Sequence, residues 1–156
     1  MITAYLVGDQ ELIAKLSAMP RRVQAGLARA ITRLSLEGER LSKQKVSGEV
    51  LHVRTGALRS GIHAIPTTST ATEVKGGWGS SVYYGKFHEF GVPHSWEILP
   101  KSARALAFEI NGQTVFAMRV MHPPLPERSF MRSALREMAP RIKSEIEAAV
   151  NQEVQR

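Results

Sequence analysis

The chain has no cysteine. Disulfide frameworks, thiolate zinc sites, iron–sulfur clusters and cysteine nucleophiles are therefore excluded together. It also has no long apolar run: only Met1 to Gly8 is free of charge before Asp9 and Glu11 interrupt. Neither a secretory core nor a membrane span is expected, and the chain reads as a soluble protein acting where it is made. Acidic residues are in the minority, fourteen against twenty-one basic ones, for a net charge of +7 and a pI near 10.1. The surplus sits at the two ends: residues 1–60 carry ten basic and five acidic side chains, 61–127 five of each, and 128–156 six and four. Such a balance suits contact with nucleic acid or with acidic protein surfaces. What is present is ordinary globular material, 43% hydrophobic and 22% charged over 156 residues. That composition is far from the disordered corner, and the length suits one domain, residues 1–156, with a core of usual size.

From Asp9 to about Ser47 the pattern is helical. Val23, Leu27, Ile31, Leu34, Gly38 and Leu41 step by three or four and share one face, with Arg22, Arg29, Arg33 and Arg40 largely outside it. Pro20 starts a new helix or kinks a continuous one, and Ser47-Gly48 reads as the stop. Ile2 to Val7 reads as an edge strand. The middle, 51–121, holds eight of the twelve glycines and short alternating runs, so it reads as sheet, with strands over 60–66, 72–79, 105–110 and 113–121. The last two are joined by Asn111-Gly112, the strongest short hairpin signal. Val82 to Lys101 reads as a helical turn followed by a long ordered loop, a contact surface. Pro123, Pro124 and Pro126 then enforce an extended entry to a last helix over about 128–150, capped near Glu127 to Ser129 and bent or split at Pro140. The fold class expected is α+β: a long N-terminal helix (about 9–47), a mainly antiparallel four-stranded β-sheet, and a C-terminal helix packed on one face.

The chemistry-bearing motifs are weak. His88-Glu89 followed by His94 lacks the one-turn histidine spacing of a zinc protease, because Gly91 and Pro93 intervene. His88, His94 and His122 are more economically read as separate surface or hydrogen-bonded residues than as a metal site. Gly76-Gly77-Trp78-Gly79 lacks the lysine that completes a phosphate loop, and no nucleophile elbow or serine–lysine pair occurs. Glu89, Glu97, Glu109 and Glu127 stand apart, which suits salt bridges rather than acid–base work. Arg22, Arg29, Arg33, Arg40, Lys43 and Lys45 form a candidate basic stripe for backbone contact with nucleic acid, and a solvated helix face explains them equally well. The aromatics Trp78, Tyr83, Tyr84, Phe87 and Phe90 gather elsewhere, so a base-stacking platform has little support.

Three blocks between the two helices are distinctive in their order: Val53-Arg54-Thr55-Gly56-Ala57-Leu58-Arg59-Ser60-Gly61-Ile62, Tyr83-Tyr84-Gly85-Lys86-Phe87-His88-Glu89-Phe90-Gly91, and His122-Pro123-Pro124-Leu125-Pro126-Glu127-Arg128-Ser129-Phe130-Met131. Ile98-Leu99-Pro100-Lys101 leads from the second towards the hairpin. Over about residues 25–150 the chain resembles the minor tail, tail-completion or neck protein family of long-tailed double-stranded DNA bacteriophages and prophages. The stretch Val92 to Glu97 departs from that family's simpler loop. The resemblance implies a structural virion protein, not an enzyme, with no cofactor and no catalytic or metal residues. It implies assembly at the head–tail junction as a homo-oligomeric ring around the DNA channel, a hexamer being the candidate size, beside neighbouring neck and tail proteins. It also implies non-specific contact with genomic DNA, synthesis in the host bacterial cytoplasm, and no membrane. A tail terminator of the same assembly is the nearest alternative; a basic nucleic-acid-binding module and a histidine-metal enzyme lie outside that class.

The family-motif positions are Arg54, Thr55, Gly56, Leu58, Tyr84, Glu89, Phe90, Gly91, Pro100, Lys101, Arg128 and Phe130. Scaffold roles are expected for them: Thr55 caps a short turn, Phe90 is a buried aromatic before a turn at Gly91, and Arg128 to Phe130 pins the last helix on the sheet.

Overall fold

The computed structural model describes residues 2–5, 21–52, 55–70 and 72–154. The expected helical stretch 9–20 with Pro20, strand residues 6–7, and Arg54 lie outside the described residues. In chain order the elements are β1 (Ile2–Tyr5), α1 (Arg21–Gln44), α2 (Ala57–Gly61), β2 (Ile62–Ser69), β3 (Val74–Ser80) and α3 (Gly85–Phe90). They are followed by β4 (Trp96–Ile98), β5 (Leu106–Ile110), β6 (Gln113–Ala117), β7 (Val120–His122) and α4 (Met131–Val154). The chain is thus a mixed helix-and-sheet fold with a long helix towards each end. No helix among the described residues is long and apolar enough to cross a membrane.

Helix α1 buries the face its period predicts: Val23, Leu27, Ile31, Leu34, Gly38 and Leu41 are all buried. Small residues on that face admit close neighbours. The Trp78 ring of β3 lies directly over Gly38, where an added Cβ would be 2.4 Å from the indole, and its Nε1 donates to Ser42 Oγ at 2.9 Å. Gly76 of β3 sits equally close to Ile31. Helix α1 ends in a wide turn at Lys45–Glu49, where Gly48 takes a φ of 135° that favours glycine.

Helix α4 runs antiparallel along α1, with Ala149 beside Gly26 and Glu137 paired to Lys45 at 2.8 Å. The expected packing on the sheet is corrected: α4 meets α1 first, and Phe130, Met131, Ala134, Met138 and Ile142 join Leu34, Leu41, Ile62 and Trp78 in one core. Pro140 neither ends nor splits α4, although it lacks the N–H that would bond the Arg136 carbonyl. Met138 and Ile142, both buried, hold the helix on either side of it.

The four-stranded sheet is also corrected. β1, β3 and β2 form an antiparallel three-stranded sheet in that order, while among the described residues β5 pairs only with β6 and β4 only with β7. The free edge of β2 is unsuitable for a fourth strand. Glu39 of α1 accepts the Ala64 N–H at 2.8 Å, Pro66 has no N–H to give, and the register shifts between Ile65 and Thr68. The Lys43 ammonium, opposed by desolvation and aided by that N–H, holds the Glu39 carboxyl below its ordinary pKa. The expected strand over 113–121 is two strands, and β4 lies where a loop was expected. The Asn111-Gly112 turn is present, with φ of 50° and 79° at its two residues. Together β4–β7 and β5–β6 make a two-stranded arm from Trp96 to His122, with the 99–105 loop on one side.

Candidate functional site

The three blocks that are separate in sequence meet at one junction. Gly85 opens α3 in the gap between Leu58 and Phe130: an added Cβ would lie 3.0 Å from Leu58 Cδ1 and 3.7 Å from the Phe130 ring. Phe130 is fully buried and Leu58 packs on the same core. One turn further along α3, Glu89 is 1% exposed. Its Oε2 accepts the N–H groups of Phe130 at 2.8 Å and Met131 at 2.9 Å, and its Oε1 accepts the N–H of Arg132 at 2.9 Å. The first backbone N–H groups of a helix have no partner within it, and its N-terminus attracts negative charge, so this carboxylate caps α4 from more than forty residues away. The expected local cap at Glu127 to Ser129 is corrected accordingly.

Arg132 closes the junction from outside. Its Nε reaches Glu89 Oε1 at 3.2 Å, and its NH2 reaches the Glu89 carbonyl at 2.7 Å and Glu127 at 2.9 Å. Its guanidinium also lies 4.8 Å from the centre of the Phe90 ring. The backbone of the second block is tied to the third by Arg128 N–H to His88 O at 2.7 Å and by a reciprocal Val92–Leu125 bridge. Gly91 is required there: its φ is 70°, and a Cβ would lie 2.8 Å from both Glu127 N and Leu125 O.

The expectation for Glu89-Phe90-Gly91 is reversed in one respect. Glu89 is the buried member and Phe90 is 57% exposed. An α3 of only six residues turns one side to the core, and the residue that can satisfy three helix donors takes that side. Phe90 instead joins Tyr83, Tyr84 and Phe87 as an exposed aromatic ridge, with the Lys86 ammonium 3.9 Å above the Tyr83 ring. Of the remaining motif positions, Thr55 gives the Ala57 N–H only a long 3.4 Å contact before α2, and Gly56 has a φ of 75°. Pro100 and Lys101 lie in the arm loop rather than at the junction, and Arg128 is exposed. Sequence reasoning missed Arg132, which carries no periodic or motif signal, and gave no role to Gly85 although it lies within the second block.

Within the junction, His88 has its Nδ1 buried with no hydrogen-bond partner among the described residues. Burial, and then the Arg128 charge, push its pKa below 6.5. The unfolded chain therefore takes up this proton first. Stability from His88 is complete above about pH 6.5 and declines as pH falls below it towards the lower folded value. We expect His88→Phe, which keeps an aromatic ring against Tyr84, to flatten that part of the stability curve in urea titrations between pH 7 and 5. An unchanged slope would sink the account.

The proposed basic stripe is mostly neutralised. Arg29 pairs with Glu153, Arg40 with Glu37, Lys43 with Glu39, and Lys45 with Glu137 and Glu49. Lys45 is moreover buried, so its place on an outward stripe is corrected. Arg22 and Arg33 are exposed without an ion pair among the described residues, as is Arg21. Three such cations predict weak duplex binding, with a slope of log K against log salt no steeper than about −3 for this face. A filter-binding salt series giving a much steeper slope would place a larger phosphate footprint on the chain. No group of three or more His, Asp or Glu residues able to hold a metal occurs among the described residues, so His88, His94 and His122 are not brought together.

The arm is braced at its base, where Trp96 stacks on His122 at 4.0 Å and 16°. The chain matches no family model, no curated protein and no solved structure.

Proposed function

We propose that this chain is a structural subunit of a tailed-phage virion, acting at the head–tail junction in tail completion and head–tail joining as part of a ring around the DNA channel. The observation that carries the reading is the junction itself: the blocks on which the resemblance rests converge on Glu89, Gly85 and Phe130. Residues that serve folding and assembly need such convergence, because they act by holding elements in place. Here they fix α3 and its exposed aromatic side chains against the start of α4. A rigid body with exposed aromatic side chains and an arm is suited to binding other subunits. The engagement of Arg29, Arg40, Lys43 and Lys45 by the chain's own carboxylates makes a dedicated nucleic-acid module the weaker reading.

The test is deletion of the coding sequence from its phage or prophage, with lysates viewed by negative-stain electron microscopy. Filled heads beside separate, normal-length tails are expected, with joined particles restored by the wild-type chain supplied in trans. Tails of uncontrolled length would move the assignment to the tail terminator. Normal infectious particles would overturn the virion reading.

A further inference from the structure

We infer that the α3 ridge is a docking surface for an acidic segment of a different protein, whose carboxylates meet Lys86 and Arg128 and whose apolar side chains cover Tyr83, Phe87 and Phe90; this names a partner chemistry for the subunit reading and rests on it. The ridge is one continuous face. The Tyr83 and Phe87 rings meet edge to face at 5.6 Å, and the Lys86 ammonium lies 3.9 Å from the first ring centre and 5.2 Å from the second. Phe90 follows Phe87 at the three-residue spacing that makes helix neighbours, under the Arg132 guanidinium. Tyr83, Phe87 and Phe90 are 66%, 37% and 57% exposed, which leaves roughly 300 Å² uncovered. A patch of that size is large enough to mark an interaction site, yet well short of the roughly 800 Å² per partner that two whole domains bury. A short segment fits it.

Charge selects the occupant. Lys86 lies in the first turn of α3, and Arg128 is tied to the last by its N–H on His88 O at 2.7 Å, with its charge felt at the His88 ring. Neither has a carboxylate within ion-pair distance among the described residues, because the acids of these blocks, Glu89 and Glu127, are both taken by Arg132. Every other described carboxylate except Glu109 is also paired within the chain. A second copy, with its net charge of +7, therefore offers no acidic segment among the described residues. Single-stranded nucleic acid fits less well. Bases stack on open, flat ring faces, whereas here Tyr83 and Phe87 stand at 79° and each ring has a cation of the same chain near it. A carboxylate reaches those cations from outside without moving them off the rings, and the apolar side chains beside it complete the cover.

A display library of random short peptides, panned on the purified full chain, tests this, followed by fluorescence anisotropy of the strongest peptide recovered. Recovered sequences are expected to set Asp or Glu beside aromatic or aliphatic residues. Lys86→Glu, Arg128→Glu and Phe87→Ala, each confirmed as folded by circular dichroism, are expected to weaken that peptide at least about tenfold. Arg33→Glu, the same charge change on the exposed face of α1, should leave it within about twofold, and a peptide with its acidic residues changed to lysine should recover binding to Lys86→Glu. Recovery of no peptide, or of neutral or basic ones, would overturn the inference, as would equal loss in Arg33→Glu, which would leave only net charge. An oligothymidylate that competes for the ridge would overturn it in favour of single-stranded nucleic acid. Oligomers of the chain that Tyr83→Asp dissociates would overturn it in favour of a second copy. The subunit reading is judged separately, by the deletion experiment.

Discussion

Glu89→Ala is expected to destabilise the chain by about 3–5 kcal/mol, as much as truncating a fully buried aromatic. The substitution removes the acceptor of three backbone N–H groups at the start of α4 and leaves them facing Phe130 and the core instead of water. It also strands Arg132, whose Nε loses its carboxylate while its NH2 keeps Glu127. A single unmade hydrogen bond to a charged group costs about 1.5–3 kcal/mol, so the total reflects several losses that are not additive. Glu89→Gln retains one acceptor oxygen but turns an amide NH2 towards donors, and about half the loss is expected. Urea titrations followed by circular dichroism measure both, and the thermal midpoint of the alanine variant should fall by roughly 10 °C. A change below about 1 kcal/mol in the alanine variant would show that α4 does not depend on this cap. Because Glu89 also fixes α3, the same variant is expected to lose assembly, whereas Phe90→Ala, at an exposed position, should keep its stability and reveal the ridge's part in assembly alone.

Gly38→Ala is expected to cost about 2–3 kcal/mol, with the opposite sign to the usual effect of this change. In an exposed helix the added methyl stabilises by about 1 kcal/mol. Here it would enter the Trp78 ring, with three ring atoms 2.4–2.6 Å away. The indole cannot retreat cheaply: it is 1% exposed and anchored by its Nε1 to Ser42 at 2.9 Å. Either α1 lifts from β3 or the ring leaves its rotamer, and both disturb the core shared with α4. A double-mutant cycle with Trp78→Leu separates this cause from others, since the cost of Gly38→Ala should shrink once the ring is gone. Gly26→Ala serves as the contrast. Its closest neighbour is Glu153 Cγ, 2.7 Å from an added Cβ, on a side chain that shifts only by loosening its pair with Arg29, so a cost of about 1–2 kcal/mol, smaller than at Gly38, is expected there.

What the sequence by itself determined was local. The three-to-four spacing in α1 named its buried face, because a helix places those positions on one side whatever it packs against. Asn111-Gly112 named the hairpin turn, because few other pairs tolerate positive φ at both positions. Tertiary structure decided the partners. Periodicity shows that a face is buried but not what buries it, so by itself it cannot distinguish packing of α4 on the sheet from its actual place along α1. Strand pattern likewise does not say which edge a strand joins, and Glu39, reaching from α1 to the Ala64 N–H, closes the edge that a fourth strand would have used. Within the candidate site, Glu89 and Phe90 exchanged their expected environments for the same reason. Hydrophobicity alone ranks phenylalanine as the buried residue. Only the folded chain brings the unsatisfied N–H groups of Phe130, Met131 and Arg132 to the carboxylate, and satisfying those donors fixes which side of α3 faces inward.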